Sequence, residues 1–213
     1  PLIKISLCFI ELSMIIQAKR MKKKKIILGS SSKFRKSLLK TLDIDFVCIS
    51  PEIDESRLPE EGPRDMVLRL AIEKAKKISL LENNSLIISS DSCASCDGRI
   101  LGKPLSEIKA VEHLEYISGK IIVFYTGICV LNSGLMDFKT DIAKYKIKIK
   151  KLSSKDILDY VKKHNPINSS AAFRYEVAKD ILIEEFIDTE NDISGLIGLP
   201  LKKLKVILDS YEL

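Results

Sequence analysis

The chain has 213 residues, 46% of them hydrophobic and 30% charged, a composition that predicts a globular protein with a sizeable core. Its formal net charge is +6, but residues 1–25 alone hold seven Lys or Arg against one Glu. The remaining 188 residues carry 28 basic and 28 acidic side chains. This balance argues against the broad basic face of a non-specific nucleic-acid binder, so we expect no nucleic-acid partner.

Residues 1–20 are predicted to be an N-terminal extension outside the fold. Met21 stands directly before KKKKIILGSS, and we expect it to be the functional start, so that residues 21–213 form a single domain. The apolar run 2–18 is interrupted by Lys4 and Glu11 and is followed by positive charge, which is not the pattern of a secretory signal or membrane anchor. Five cysteines, an odd number, favour reduced thiols, and we expect a cytoplasmic protein without membrane association.

The first predicted elements are a buried strand, a serine-rich turn and an amphipathic helix. The strand covers residues 26–28 and is followed by Gly29, Ser30, Ser31 and Ser32. The apolar face of the helix comprises Phe34, Leu38, Leu39 and Leu42, and its first turn carries Lys33, Arg35 and Lys36. Serine caps, free amides at the helix start and basic side chains suit a phosphate, although an ordinary capped helix with a solvated basic face has the same pattern.

A second predicted strand, over residues 46–49, leads into an acidic loop and a long helix. The loop 51–56 has three carboxylates in four residues, which either form an exposed acidic turn or share a hard cation with Asp91. The helix begins at Pro63, and its buried face comprises Val67, Leu70, Ala71, Ala75 and Ile78. Lys74 lies on that same face, where it either extends to solvent or presents its ammonium group to a phosphate.

The stretch 86–104, LIISSDSCASCDGRILGKP, is the centre of the chain. Its apolar residues 86–88 predict a buried strand that ends near Asp91. The dipeptide Asp97-Gly98 predicts a tight hairpin that returns along residues 99–101 and brings Lys103 near Asp91. Asp91 is then either a strand-end carboxylate satisfied by local groups or a catalytic or metal-binding residue.

Cys93 and Cys96 form a CxxC motif in the same stretch. A structural zinc site needs a second pair of ligands, and the other cysteines, Cys8, Cys48 and Cys129, stand alone in the sequence. We therefore expect both thiols to be small buried residues rather than metal ligands.

The second half of the chain continues the alternation of helices and strands. A helix capped by Ser106 is predicted to end at residues 118–119. Strands are then predicted over residues 121–131 and 144–150. The second of these alternates apolar residues with lysines, so one face is predicted to be buried and the other to carry the lysines. The last predicted segments are a helix from residue 153 to 161, an irregular loop at 164–172, a strand at 181–187 and a helix after Gly198-Leu199-Pro200.

Six motifs, in this order and spacing, resemble the Maf (septum-formation) family of nucleoside triphosphate pyrophosphatases. They are LGSSSKFRKSLL, PEIDES, RLAIEKA, SSDS followed by DGRILGKP, SGK with YTG, and GLPL, and the resemblance covers roughly residues 26–208. The resemblance implies an α/β fold of the inosine-triphosphatase-like type, with a mixed sheet, flanking helices and a central cleft between two lobes. It further implies a divalent cation, Mg²⁺ or Mn²⁺, and cleavage of a nucleoside triphosphate into a monophosphate and pyrophosphate. A homodimer is an additional expectation.

The resemblance also implies roles for individual residues. By position, Asp91 matches the family's proton acceptor, and Glu55 and Asp91 are the candidate metal ligands. The resemblance implies that the substrate is bound by Ser30, Ser32, Arg35, Lys74 and Lys103. A carboxylate with a pKa of about 4 is a poor base for water, whose pKa is about 15.7, so a cation must first lower the pKa of the water. Arginine and lysine would neutralise the charge that builds up on the departing pyrophosphate.

Within the family, the chain is most similar to the branch associated with 7-methyl-GTP, with Phe34, Ser92 and Glu176 at the specificity positions. An aromatic ring attracts a stacked cationic base, and a carboxylate can accept hydrogen bonds from guanine, although periodicity alone makes Phe34 a core residue of its helix. Ser92 replaces a glutamine. In residues 169–180, where relatives carry several glycines, this chain has none. A non-catalytic nucleotide-binding or septum-regulating protein that keeps the fold therefore remains the alternative.

Overall fold

The computed structural model describes residues 24–211, which form a mixed sheet with helices on both faces. The strands are β1 Lys25–Gly29, β2 Val47–Cys48, β3 Ser85–Cys96, β4 Arg99–Leu101, β5 Ile121–Asn132, β6 Asp137–Ile149 and β7 Ile183–Asp188. The helices are α1 Lys33–Lys40, α2 Pro63–Ser79, α3 Glu107–Ile117, α4 Ser154–His164, α5 Tyr175–Ile181, α6 Ser194–Ile197 and α7 Leu201–Asp209. Two 3₁₀ turns, Pro166–Asn168 and Ser170–Ala172, lie between α4 and α5.

The strand order in the sheet is β2-β1-β3-β5-β6-β7, with β4 paired to the far end of β3. Strand β1 runs parallel to β2 and β3, whereas β3, β5, β6 and β7 are joined antiparallel. The expectation of a mixed α/β sheet with flanking helices is therefore confirmed.

The long central strands contribute to hydrophobic cores in two regions, which form the two lobes. The first half of β3 is buried on both faces, with Leu86 in the core under α1 and α7 and Ile87 in the core under α2. The second half of β3 joins a different core, which includes Leu114 of α3 and Tyr160 of α4. Asp91 lies on β3 between these two regions, where the strand passes from one lobe to the other.

Strand β3 is longer than predicted, because it continues through Asp91 to Cys96 instead of ending after its apolar run. Its polar residues are buried but have tertiary partners. The Ser89 hydroxyl donates to the Ala71 carbonyl at 2.6 Å, and the Ser90 hydroxyl donates to the Gly198 carbonyl at 2.7 Å. A sequence pattern of apolar residues cannot reveal such partners, so it places the strand end too early. The predicted turn at Asp97-Gly98 is confirmed, since both residues have positive φ.

Three other predicted boundaries are wrong. Strand β6 begins at Asp137 rather than at residue 144, because β5 pairs with it over the whole length of the hairpin. The segment predicted as an irregular loop is largely helical and consists of the end of α4 and the two 3₁₀ turns. The last strand begins at Ile183, since residues 175–181 form α5.

The predicted extension at residues 1–20 and the predicted start at Met21 lie outside the described residues. Among residues 24–211, no helix is both long and apolar enough to cross a membrane.

Candidate active site

A single cleft of about 940 Å³ is lined by all ten residues to which the family resemblance assigned a catalytic, binding, metal or specificity role. These residues come from distant parts of the chain. They are Ser30, Ser32, Phe34, Arg35, Glu55, Lys74, Asp91, Ser92, Lys103 and Glu176. The cleft is a concave site of the size that small-molecule substrates occupy.

Lys74 is the central charge of the cleft. Its ammonium Nζ lies 2.6 Å from Oδ1 of Asp91 and 2.7 Å from Oε1 of Glu55. Lys74 and Asp91 are only 4% and 8% exposed, whereas the Glu55 side chain is about half exposed. The lysine therefore does not extend to solvent, and two carboxylates converge on one buried cation.

Close packing of α2 on the sheet brings Lys74 to Asp91. Gly127 is the register partner of Asp91 on the neighbouring strand β5. A Cβ atom at residue 127 would lie 2.7 Å from the carbonyl oxygen of Val67 in α2, which is closer than real Cβ contacts allow. Glycine thus lets the helix backbone reach the strand. Because Lys74 lies two turns after Val67 on the same helix face, its side chain reaches the carboxylate on β3.

The turn between β1 and α1 holds serine hydroxyls and an arginine at the cleft. Ser32 is the N-cap of α1 and its Oγ accepts a hydrogen bond from the backbone N–H of Arg35. Ser30 is buried, and its Oγ accepts from the backbone N–H of Ser32 at 3.1 Å. The guanidinium of Arg35 donates from Nε to the Gly198 carbonyl at 2.9 Å. The helix start and the arginine therefore face the same space, as a phosphate site requires.

The charges in the cleft change the pKa values of two side chains. Burial lowers the pKa of Arg35 below its ordinary value, although the negative charges of Asp91 and Glu55 oppose this effect. Burial tends to raise the pKa of Glu55, but the hydrogen bond from Lys74 and the positive charges of Lys74, Lys103 and Arg35 outweigh burial, and the net pKa is lowered. Glu55 is therefore ionised at neutral pH.

The acidic loop contributes less to the cleft than the sequence suggested. Only Glu55 of its three carboxylates lines the cleft, whereas Glu52 and Asp54 line a second pocket beside the end of α2. Within residues 24–211, no three His, Cys, Asp or Glu side chains come together as a metal-binding cluster. The interpretation of the whole loop as a shared cation site is wrong. The remaining pair, Glu55 and Asp91, still fits Mg²⁺, which commonly binds one or two carboxylates together with substrate phosphates.

The three predicted specificity residues lie at different depths in the cleft. Phe34 is 42% exposed, so the assignment of this residue to the helix core is wrong. Ser92 lies on β3, and its Oγ accepts from Nη2 of Arg35 at 3.4 Å. Glu176 is exposed in the first turn of α5, with Oε2 at 3.9 Å from Nε of Arg174.

The CxxC motif does not form a metal site. Cys93 and Cys96 are three residues apart on strand β3, so their side chains point to opposite faces of the sheet. Cys93 donates to the Pro63 carbonyl at 3.6 Å, and burial together with the charge of Asp91 raises its pKa to about 12. Both thiols are buried, as the sequence predicted.

Several cleft residues were not predicted individually. Phe124 and Phe173 form an aromatic pair with ring centroids 4.8 Å apart, and both line the cleft. Thr126 shares a hydrogen bond with Ser92, and the carbonyl of Gly198 accepts a hydrogen bond from Arg35. The YTG and GLPL motifs contain Thr126 and Gly198, so the sequence marked the segments but not the role of each residue.

A family model described as Maf-like protein matches residues 25–211, which include nearly all of the described chain. The chain belongs to the Maf family. The family resemblance inferred from the six motifs is thereby confirmed. Nucleotide pyrophosphatases of the Maf type are generally metal-dependent.

Known proteins similar to this Maf protein include an enzyme and a solved structure. A 7-methyl-GTP pyrophosphatase of Colwellia psychrerythraea is 40% identical over 188 residues, which cover 88% of this chain and 93% of the relative. The solved structure of the Staphylococcus aureus Ham1 protein aligns with a TM-score of 0.51 and 16% identity, covering 88% of this chain and all of the Ham1 chain. This second likeness concerns the fold alone and shows that the chain shares the α/β architecture of Ham1.

Proposed function

We propose that this Maf protein is a nucleoside triphosphate pyrophosphatase that hydrolyses the bond between the α- and β-phosphates to give a monophosphate and pyrophosphate. The observation that carries the proposal is the convergence of Asp91 and Glu55 on buried Lys74, in the same cleft as Arg35 and the serine turn. Carboxylates for water activation and cations for phosphate charge are the two parts that this hydrolysis needs. The name of the Colwellia relative supports the same reaction.

Each side chain has a distinct part in the proposed mechanism. Asp91 accepts the proton of the attacking water, and Lys74 orients the carboxylate through its 2.6 Å contact. The guanidinium of Arg35, the ammonium of Lys103 and the first amides of α1 neutralise the charge of the β- and γ-phosphates as pyrophosphate departs. Ser30 and Ser32 keep the turn in the shape that exposes those amides.

Mg²⁺ or Mn²⁺ would be held by Glu55 and Asp91 together with the substrate phosphates, since carboxylate and phosphate oxygens are the ligands that these hard cations prefer. A bound cation supplies a lower pKa for the attacking water and charge neutralisation for the phosphates. Glu55, which is half exposed and ionised, can turn from Lys74 to such a cation without the burial of a new charge.

The function is tested by pyrophosphate release from a panel of nucleoside triphosphates with Mg²⁺ or Mn²⁺. Asp91→Asn should lower kcat at least about a hundredfold, the scale expected for loss of a general base, and chelation of the cation should abolish turnover. The matched control is Asp54→Asn, which changes a carboxylate of the neighbouring loop that lies outside the cleft. Wild-type turnover by Asp91→Asn would remove Asp91 from the mechanism. Nucleotide binding without turnover of any triphosphate would favour the non-catalytic alternative.

We further propose that the preferred substrate is 7-methyl-GTP. Methylation at N7 gives guanine a positive charge, which the exposed ring of Phe34 can attract by about 1 kcal/mol or more when the contact is desolvated. The carboxylate of Glu176 can accept hydrogen bonds from guanine and oppose the same charge. The name of the Colwellia relative supports this substrate.

The substrate proposal is tested by comparing kcat/KM for 7-methyl-GTP, GTP, UTP and dTTP. Phe34→Ala and Glu176→Ala should each lower the ratio of 7-methyl-GTP to GTP by more than they lower activity on GTP. Glu184→Ala, an exposed carboxylate on β7 outside the cleft, should leave the ratio unchanged. Equal rates on all four nucleotides, or a preference for pyrimidines, would contradict the substrate assignment and leave the pyrophosphatase proposal standing.

A further inference from the structure

The carbonyl of Gly198 receives two hydrogen bonds from residues far away in the sequence. Arg35 donates from Nε at 2.9 Å, and Ser90 donates from its hydroxyl at 2.7 Å. A carbonyl oxygen has two lone pairs, so both bonds can form at once. Ser90 is fully buried, and its hydrogen bond fixes the carbonyl to which the guanidinium is attached.

The backbone at residue 198 suits only glycine. Its φ is +123°, a conformation that side chains with a Cβ rarely adopt. A Cβ atom built there would lie 3.2 Å from Nε of Arg35, so even alanine would press on the guanidinium. The glycine of the GLPL motif thus places a carbonyl, rather than a side chain, against Arg35.

A second chain of hydrogen bonds reaches the other end of the guanidinium. Nη2 of Arg35 lies 3.4 Å from Oγ of Ser92, which in turn lies 3.0 Å from Oγ1 of Thr126. Thr126 is buried and donates its single hydroxyl hydrogen to the Gly195 carbonyl at 2.8 Å. Thr126 must therefore accept from Ser92, and Ser92 is left with a lone pair for Arg35. The direction of every hydrogen bond follows from the number of available hydrogens.

We propose that Ser90, Gly198 and Thr126 are positioning residues that hold Arg35 in the orientation needed to bind the triphosphate. A guanidinium has five N–H groups in a rigid fork. The contacts to Gly198 and Ser92 use one on Nε and one on Nη2, so the remaining groups are held as a pre-oriented fork for phosphate oxygens. This inference rests on the proposed function and assigns a role to the GLPL segment.

The test compares two neighbouring serines on β3. Ser89 and Ser90 are both fully buried and both donate to a backbone carbonyl, but Ser90 bonds to the Gly198 carbonyl that also accepts from Arg35, whereas Ser89 bonds to the carbonyl of Ala71 in α2. The probe is GTP with a methylene group between the α- and β-phosphates, whose binding is measured by calorimetry without turnover. Ser90→Ala should weaken binding about fivefold, the effect of one lost hydrogen bond, while Ser89→Ala should change it less than about twofold. Equal effects of the two substitutions would overturn the proposal.

A double-mutant cycle separates positioning from a structural effect. In an Arg35→Ala background, Ser90→Ala should have no further effect on binding of the methylene analogue, because the group that Ser90 positions is absent. Thr126→Val, which removes the second chain, should be silent in the same background and weaken binding in the wild type. If Ser90→Ala and Thr126→Val weaken binding in the Arg35→Ala background as much as they do in the wild type, the inference is overturned. The cycle measures binding and not turnover. Absence of triphosphate hydrolysis would therefore refute the proposed function, while the cycle would still test whether these residues position Arg35.

Discussion

Replacement of Lys74 by methionine is the sharpest test of how the cleft is stabilised. Methionine keeps most of the volume of the lysine side chain but removes the cation between Asp91 and Glu55. Asp91, which is 8% exposed, would then keep a buried negative charge without its nearest counter-ion. Removing one partner of a buried ion pair costs about 3–5 kcal/mol.

The contribution of Glu55 to this free-energy loss is small. Its side chain is about half exposed, so solvent screens its interaction with Lys74 to at most about 1 kcal/mol. The expected loss therefore comes mainly from Asp91. In a domain of this size, 1 kcal/mol corresponds to about 2–4 °C, so Lys74→Met should lower Tm by about 10 °C.

The assay is urea unfolding at pH 7.5 of the wild type, Lys74→Met, Asp91→Asn and the double variant. The double variant should recover at least about half of the stability lost in Lys74→Met, because it leaves no unpaired charge on β3. The slope of unfolding free energy against urea should stay the same, which shows that the folded states are comparable. A loss below about 1 kcal/mol in Lys74→Met, or a double variant as unstable as the sum of its parts, would refute the reasoning.

Gly127→Ala should destabilise the protein by about 2 kcal/mol, because a Cβ there meets the α2 backbone at 2.7 Å, whereas Gly102→Ala, with no atom within 4 Å, should be neutral in the same thermal melts. The pKa of Glu55 is lower in the folded protein than its ordinary value of 4.5. Its ion pair with Lys74 therefore stabilises the fold fully at pH values above 4.5, and this stabilisation is lost as the pH falls through the pKa of the folded state. The stability difference between wild type and Glu55→Gln should therefore be constant from pH 7 to about pH 5 and vanish in more acidic urea titrations; a difference that grows on acidification would contradict this sign. A chain that starts at Met21 should fold and turn over substrate like the longer one, since the Maf family match begins at residue 25, and loss of soluble expression on truncation would contradict it.

The sequence by itself determined most of the elements and most of the charged residues in the cleft, although it did not indicate Arg174. The period of the apolar residues in α2 placed Lys74 on a buried face, and Asp97-Gly98 specified a hairpin by its need for positive φ. These are local properties, because helix periodicity and turn geometry depend on residues only a few positions apart. The order and spacing of six motifs then identified the family before any contact was known.

Only the tertiary structure decided which polar residues act together. Nothing local to residues 89–92 indicates that β3 continues, because the side-chain partners of its serines and of Asp91 come from distant residues such as 35, 71, 74, 126 and 198. The acidic loop is a similar case, because the neighbouring residues Asp54 and Glu55 line different pockets. Only the packing of α2, which carries Lys74, shows that Glu55 is the carboxylate that belongs to the cleft. The aromatic ring of Phe34 fits a helix core by periodicity, but the end of α1 that carries it opens into the cleft. Burial of a polar group is tolerated only where a partner is present, and such partners are brought by distant segments whose meeting depends on the whole fold.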